Sequence, residues 1–250
     1  MITIFATFRP FNHPHYGMIQ RNAIGSWMQL NPKPEVLVMG NEAGSKEICE
    51  EFNLIHIPDV KLSNLGTPML DDMFSKAELI AKNDLLLLVA AEIILFQDMI
   101  EMAKILKDHL PKFMATIRRR DKDVNSLIDF NNPNWQKDIL SDSVLGHPGA
   151  GDFFLYPKGF FVNGILPFTI GRASADNWLI YEAVRLGCCV DMADSMNIIH
   201  QNHDYSHLGG HHKLTEGEEF KFNRNLGSGK MLEINGSNWF IDFGKIPRKK

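Results

Sequence analysis

The central segment of the chain reads Leu85-Leu86-Leu87-Leu88-Val89-Ala90-Ala91-Glu92-Ile93-Ile94-Leu95. Such an apolar run predicts a single strand that is buried on both faces, as in the middle of a parallel sheet. A carboxylate is unfavourable there unless it is protonated, paired, or placed at the strand end beside a cation. Because ligands of open α/β sheets collect at the carboxyl ends of central strands, Glu92 is a candidate metal-side or phosphate-side residue. The alternative is a satisfied core carboxylate or a strand-end Glu that faces water.

Strands and helices alternate around this segment. The patterns predict strands at Ile2–Thr7, Glu35–Gly40, Leu54–Ile57 and Phe113–Ile117, and helices near Ile19–Leu30, at Ser45–Phe52, from a Thr67-Pro68 start, and at Met99–His109. Thr67 is a suitable N-cap and Pro68 suits the first helical position. The alternation predicts an α/β fold with a largely parallel sheet and right-handed crossovers.

The second half of the chain has a different character. A polar connection covers 121–147, with a short helix near Trp135–Leu140. The patterns then predict a hairpin from Asp152–Tyr156 and Phe160–Val162, a helix at Asp176–Leu186, a strand at Met196–His200, and a second hairpin at Met231–Ile241. Asn235-Gly236 suits the type I′ turn of that second hairpin.

Composition excludes several classes of protein. A net charge of −4 argues against a general nucleic-acid binder, although Arg118-Arg119-Arg120 forms a local basic run. Three cysteines do not make a disulfide framework, and no signal peptide or membrane span is visible. We therefore expect a soluble, cytoplasmic protein, with association at a membrane surface left open. The glycine motifs of dinucleotide-binding and P-loop proteins are absent, as is the zinc-protease motif His-Glu-x-x-His.

Three polar clusters carry candidate chemistry. The first contains His200, His203, His207, His211 and His212, and imidazole is a common metal ligand. The second places Asp176 at a predicted helix start, either as an N-cap or as a carboxylate that takes a proton from a hydroxyl. The third, Gly149-Ala150-Gly151-Asp152, delivers Asp152 at the head of a strand or is an ordinary glycine-rich turn.

The order of several segments resembles glycosyltransferases of the GT-A type, and most closely a little-characterised group of small glycosyltransferase-like proteins. The matching segments are Ile4–Phe11, Gln20–Trp27, Gly66–Asp71, Ala90–Leu95, Asp152–Phe161, Gly171–Tyr181 and Ile199–His207. The resemblance implies a Rossmann-like, mostly parallel central sheet flanked by helices, with a smaller mixed C-terminal part and a β-hairpin tail. It implies a glycosyltransferase domain at 1–210, with a nucleotide-binding half at 1–118 and an acceptor and catalytic half at 119–210. A C-terminal extension follows at 211–250.

The resemblance also implies roles for individual residues. It assigns donor binding to Thr7, Phe8, Arg9, Asn41, Glu42, Thr67 and Asp71, the metal to Glu92, His200 and His203, base catalysis to Asp176, and the acceptor side to Asn177 and Trp178. The acidic motif that reads Asn-Ala-Asp-Ile in that group is Ala90-Ala91-Glu92-Ile93 here, so one polar position is lost. This departure weakens the metal affinity that the resemblance implies for Mn²⁺ or Mg²⁺.

The predicted activity is transfer of a sugar from a UDP- or GDP-linked donor to a glycan or other hydroxyl acceptor, with inversion and assistance by a divalent metal. Retention remains an alternative, with Asp152 as the reactive carboxylate. A weak or inactive homologue that binds a nucleotide sugar or glycan is the second hypothesis, favoured by Ala90. A zinc-dependent hydrolase built on the histidines is the third.

Overall fold

The computed structural model describes residues 1–161, 163–204, 210, 213–242 and 245–250. Its strands are β1 (Ile2–Thr7), β2 (Glu35–Met39), β3 (Ile55–Ile57), β4 (Leu85–Val89), β5 (Ile93–Leu95), β6 (Met114–Thr116), β7 (Arg120–Lys122), β8 (Val144–Leu145), β9 (Phe153–Pro157), β10 (Cys189–Asp191), β11 (Ile198–Gln201), β12 (Trp239–Phe240) and β13 (Arg248–Lys249). Its helices are α1 (Pro14–Met28), α2 (Ser45–Phe52), α3 (Leu70–Ile80), α4 (Asp98–His109), α5 (Trp135–Leu140), α6 (Ala175–Arg185), α7 (Lys213–Glu216) and α8 (Glu218–Leu226).

A nine-stranded sheet forms the centre of the fold, in the order β13-β12-β10-β6-β9-β4-β1-β2-β3. The pairs β1–β2, β1–β4, β2–β3, β6–β10 and β10–β12 are parallel. Strand β9 runs antiparallel to both of its neighbours, β4 and β6. The sheet is therefore mainly parallel with an antiparallel strand in the middle, which confirms the predicted fold class.

Alternate residues of the central strands bury against helices on opposite faces. On one face, Ile4 and Leu87 belong to a cluster with Trp27 of α1 and Met102 of α4. On the other face, Phe5 packs edge-on against Phe74 of α3, with their ring centroids 5.3 Å apart. Helices cover both faces, so the apolar strands of the sheet are buried on each side.

A second sheet of four strands, β5-β11-β7-β8, lies beside the central one. It corrects the prediction of one strand over Leu85–Leu95. The strand β4 ends at Val89. A turn follows, in which the backbone N–H of Ile93 donates to the carbonyl of Ala90 at 3.1 Å. The next strand, β5, pairs with β11 of the second sheet. Glu92 therefore lies in the turn between two sheets. The run is uniformly apolar because both strands are buried.

The predicted helix start at Thr67-Pro68 is also wrong. Helix α3 begins at Leu70 and its N-cap is Met69. Pro68 forms an isolated bridge with Leu62, and the Thr67 hydroxyl donates to Glu219 at 2.8 Å. A side-chain contact and a bridge therefore hold this segment outside the helix.

Both predicted hairpins differ from the structure. The strand β9 pairs with β4 and β6, and residues 158–161 form turns, while Val162 lies outside the described residues. In the tail, Ile234–Gly236 forms a short 3₁₀ helix in place of a type I′ turn. The antiparallel pair of the tail is β12 with β13. The domain boundary near residue 210 stays a prediction.

Within the described part of the chain, no helix combines the length and apolar character needed to cross a membrane. The predicted location of the protein stays a prediction.

Candidate functional site

A cleft of about 580 Å³ opens where β1 and β4 end, at the carboxyl edge of the central sheet. This is the place at which open α/β sheets bind ligands. Its lining includes the predicted residues Thr7, Phe8, Arg9, Glu42, Thr67 and Glu92, and also His13, Tyr16 and Arg172. Asp152 and Asp176 line a cavity of about 120 Å³, and Glu92 lines both spaces.

Glu92, His200 and His203 converge on one point. Oε1 of Glu92 lies 3.6 Å from Nε2 of His200 and 3.4 Å from Nε2 of His203. The three ligand atoms all lie within 4.8 Å of one another. The structure therefore brings together the three predicted metal ligands. His207, His211 and His212 lie outside the described residues.

The backbone of the turn explains why these groups meet. Gln201, at the end of β11, uses both its backbone N–H (3.3 Å) and its side-chain amide (3.0 Å) to donate to the carbonyl of Glu92. Asn22 of α1 donates to the Gln201 side chain at 3.0 Å. Because His200 precedes Gln201 and pairs with Ile93, β11 fixes its imidazole beside Glu92.

Asp121 of β7 lies beside the other nitrogen of His200. Its Oδ1 lies 3.1 Å from Nδ1 of the imidazole. Burial alone would lower the pKa of His200, but Asp121 and Glu92 raise it to about 9. Burial alone would raise the pKa of Glu92, but hydrogen bonds from His200 and His203, with the charges of His200 and Arg9, hold it well below its usual value.

Arg119 extends this network toward the second cavity. Its Nε donates to Asp121 at 2.8 Å and its Nη1 pairs with Asp152. A continuous line of polar contacts thus runs from His200 through Asp121 and Arg119 to Asp152. Opposite charges alternate along it, which compensates for the loss of water around partly buried groups.

Asp176 lies in the first turn of α6 and is not the N-cap that one interpretation of the sequence expected. The N-cap is Ser174, whose φ of 86° is left-handed. The pKa of Asp176 is raised to about 7, first by burial and also by the negative charge of Asp152, against backbone hydrogen bonds that lower it. A carboxylate with this pKa is suited to accept a proton near neutral pH.

The loop after β1 is held in place by Gln20 of α1. Its side chain accepts from the backbone N–H of Arg9 at 2.6 Å and donates to the Arg9 carbonyl at 3.0 Å. The Arg9 guanidinium then lies over the ring of Tyr16, 4.6 Å from its centroid. Nη1 of Arg9 is buried and has no hydrogen-bond partner among the described residues.

Besides His200 and His203, four predicted site residues line neither cavity. Asn41 precedes Glu42 and is exposed, and Asp71 lies 3.6 Å from Lys61. Asn177 donates to the carbonyls of Gly149 and Leu232, and Trp178 packs on Phe168 with centroids 5.1 Å apart. The structure gives these side chains packing or surface contacts, and their donor and acceptor roles stay predictions.

Sequence reasoning missed Arg119, Asp121 and Arg172 as site residues. Arg119 belongs to a conspicuous basic run, but no pattern in the sequence indicates that it contacts Asp121 and Asp152. Arg172 belongs to the segment in which Asp176 is the predicted functional residue. Their roles depend on contacts between segments that are distant in the sequence.

The residues fit a divalent cation. Bonds of roughly 2.0–2.2 Å place neighbouring ligand atoms of one ion roughly 3.0–3.5 Å apart, close to the observed spacings. One carboxylate with two imidazoles suits a borderline ion such as Mn²⁺. Asp121 supplies the outer carboxylate that typically fixes the tautomer of a ligating histidine. His200 thereby presents Nε2 to the shared point.

Solved structures share this fold. TarS from S. aureus in complex with UDP-GlcNAc aligns with a TM-score of 0.58 and 12% identity, over 92% of this chain and 66% of that one. Mannosyl-3-phosphoglycerate synthase from Rubrobacter xylanophilus aligns with a TM-score of 0.53 and 14% identity, over 93% of this chain and 76% of that one. Glucosyl-3-phosphoglycerate synthase from Mycobacterium tuberculosis aligns with a TM-score of 0.51 and 13% identity, over 84% of this chain and 75% of that one. That structure is a complex with Mn²⁺, uridine diphosphate and glucosyl-3-phosphoglycerate.

These likenesses establish that the chain has the fold of GT-A nucleotide-diphospho-sugar transferases, which the sequence predicted. The chain spans 66%, 39%, 60% and 70% of the length of four TarS chains to which it is similar. No protein-family model matches the chain, and no curated protein matches it in sequence.

Proposed function

We propose that the protein transfers a sugar from a nucleoside-diphosphate donor to an acceptor hydroxyl. The observation that carries this proposal is the convergence of His200 and His203 on Glu92, which itself lines the cleft. In a GT-A fold this edge of the sheet is where a donor diphosphate meets a cation. The complexes of the structural neighbours with UDP-GlcNAc, and with Mn²⁺ and UDP, support the same class of ligand.

Glu92, His200 and His203 would hold Mn²⁺ or Mg²⁺. When bound, such an ion supplies positive charge that stabilises a departing diphosphate. Asp121 orients His200, and Gln201 fixes the backbone of Glu92. The chain therefore presents its ligands already arranged, although Ala90 contributes none.

The donor nucleotide, UDP or GDP, would lie in the large cleft. Phe8, His13 and Tyr16 offer apolar and aromatic surface to a base, and Thr7 and Glu42 offer polar groups to a ribose. Arg9 and Arg172 face the same space and match the charge of a diphosphate.

Asp176 would act as the base that takes the proton from the acceptor hydroxyl, so that the attack inverts the sugar carbon. Its raised pKa and its place in the second cavity support this role. Asp152 is held by Arg119, so one of its oxygens is engaged in an ion pair. A carboxylate paired in this way is better suited to setting the charge and geometry of the site than to attacking the sugar carbon as a nucleophile.

Calorimetry with UDP and GDP, with Mn²⁺ and after chelation, tests the proposal. We expect one of the two to bind, with an affinity that Mn²⁺ raises. Glu92→Gln should reduce the gain from Mn²⁺ by roughly 10-fold or more, since loss even of an outer ligand contact has an effect of that size. The exposed Glu47→Gln is the matched control and should behave as the unmodified protein.

Turnover is measured with a panel of UDP- and GDP-sugars, by release of the nucleoside diphosphate. Binding of neither nucleotide, or stoichiometric zinc without nucleotide affinity, would contradict the proposed function. Equal affinities of the Glu92→Gln and unmodified proteins in Mn²⁺ would remove Glu92 from the ligand set.

A further inference from the structure

Glu219 of α8 is a buried carboxylate in the C-terminal segment, beyond the predicted boundary at residue 210. It is 7% exposed and is surrounded by donors. Its oxygens accept from the hydroxyls of Ser63 (2.6 Å) and Thr67 (2.8 Å), and Oε2 lies 2.9 Å from Nη2 of Arg172. A carboxylate with this many partners holds its neighbours in one arrangement.

The partners of Glu219 belong to the wall of the cleft. Both Thr67 and Arg172 line it, as do Phe8 and Arg9 of the loop after β1. Nη2 of Arg172 also lies 3.3 Å from Oγ1 of Thr67. Glu219 therefore fixes the guanidinium of Arg172 from behind, while the side chain itself faces the cleft.

Arg9 approaches the same space from the loop after β1. Its buried Nη1 has no hydrogen-bond partner among the described residues. The charge of Arg9 also reaches Arg172, whose pKa is lowered first by burial, raised by Glu219 and lowered again by Arg9. Two guanidinium groups that repel each other across a cleft favour an anion between them.

Helix α8 is anchored by a second buried side chain. Asn223, fully buried, accepts from the backbone N–H of Thr169 at 2.9 Å and donates to the Thr169 carbonyl at 2.9 Å. Thr169 lies three residues before Arg172. These bonds join the helix to the segment that carries Arg172. They therefore fix the position of Glu219 relative to Arg172.

We propose that Glu219 is a positioning residue that holds Arg172 opposite Arg9, so that the C-terminal helix completes a two-arginine site for the diphosphate of the donor. The inference rests on the proposed donor cleft and names residues that bind the diphosphate independently of the cation. The site is therefore expected to retain affinity for pyrophosphate groups after chelation of metal.

The experiment measures affinity for inorganic pyrophosphate, for UDP and GDP, and for the matching nucleosides, all in the presence of chelator. Glu219→Gln removes the charge and keeps the shape. We expect roughly 10-fold weaker binding of pyrophosphate and of the nucleoside diphosphate, the size expected for a hydrogen bond to a charged group. Binding of the nucleoside should not change, because it lacks the phosphates that Arg172 contacts.

The neighbouring Glu218→Gln is the matched control, since Glu218 is exposed on the same turn of α8. Arg172→Gln should weaken pyrophosphate binding at least as strongly. In the Arg172→Gln background, the further change Glu219→Gln should have no additional effect, because Glu219 acts through Arg172. A general structural loss would instead lower affinity for nucleoside and pyrophosphate alike.

The outcomes separate this inference from the proposed function. If the unmodified protein binds UDP or GDP and Glu219→Gln binds it equally well, the inference is wrong and the proposed function stands. If the unmodified protein binds pyrophosphate with chelator but neither nucleotide, the proposed function is wrong and the anion site stands. Absence of pyrophosphate binding in the unmodified protein overturns the inference directly. A Glu219→Gln variant that does not fold leaves the Arg172→Gln variant as the test, and unchanged pyrophosphate affinity in it overturns the site.

Discussion

Asp121 contacts His200 on the ring nitrogen that does not face Glu92. Its Oδ1 lies 3.1 Å from Nδ1, while Nε2 of the same imidazole lies 3.6 Å from Oε1 of Glu92. The imidazole thus lies between two carboxylates, one from strand β7 and one from the turn between β4 and β5. Nε2 is therefore the nitrogen of His200 that faces the proposed cation site.

Asp121→Asn should therefore weaken Mn²⁺ binding although Asp121 is not itself one of the proposed ligands. We expect a loss of roughly 10- to 100-fold in affinity for Mn²⁺ in the presence of nucleotide, typical of outer-shell carboxylates. Titration followed by the paramagnetic signal of free Mn²⁺ measures it. Asp108→Asn, on the exposed side of α4, is the control. Identical Mn²⁺ affinities in the two variants would show that Asp121 does not orient the site.

Asp176→Asn should strongly reduce transfer and leave donor affinity nearly intact. The change removes a proton acceptor from the smaller cavity without touching the residues that line the donor cleft. General bases contribute roughly 10²- to 10⁴-fold, so the turnover number should fall by that factor. The comparison is with Asp194→Asn, an exposed carboxylate. Normal turnover in the Asp176 variant would end its assignment as the base.

The rate should rise with pH through a value near 7. Asp176 accepts a proton only when it is ionised, and its pKa is raised to about 7, first by burial and also by the charge of Asp152. Below this value the carboxyl group is protonated, so kcat/KM should fall about tenfold per pH unit. Asp152→Asn should move this limb to lower pH, because it removes one of the causes of the raised pKa. A rate that is flat between pH 5.5 and 8 would contradict the assignment.

Gly151→Ala should lower activity more than it lowers stability. A Cβ atom at this position would lie 2.8 Å from Cβ of Asp176 and 2.8 Å from the ring of Phe154. Asp176 must then shift, and small misplacements of reacting groups reduce rates by roughly 10²-fold. The control is Gly236→Ala, whose added Cβ would meet Leu232 at an ordinary 3.7 Å. Full activity of Gly151→Ala, with a normal thermal midpoint, would show that the contact does not matter.

The sequence identified Glu92 because a carboxylate in an apolar run is conspicuous. The same run concealed the end of β4 at Val89, since the strands on both sides of the turn are buried and apolar. What separates them is the choice of partner. The strand β4 pairs within the central sheet, and β5 pairs with β11, which lies far along the chain. Periodicity is a local property of the sequence, so it does not predict which strand each of the two pairs with.

Local turn preference also failed at Asn235-Gly236. Asn238 accepts from the backbone N–H of Cys189 with its side chain and donates to the Cys189 carbonyl with its backbone, each at 3.0 Å. These bonds dock the tail beside β10 and favour the 3₁₀ helix over a hairpin at this point. The charged strand β7 was equally hidden, because Arg120, Asp121 and Lys122 show no apolar alternation.

In this region the register of β11 against β5 matters as much as the identity of the side chains. Ile198, Ile199 and His200 lie opposite Leu95, Ile94 and Ile93 in that order. Successive side chains point to opposite faces of a sheet, so a slip by one residue would exchange an isoleucine for the imidazole. A shift of β11 by one residue against β5 would thus disable the cluster while keeping every one of its ligands in the sequence.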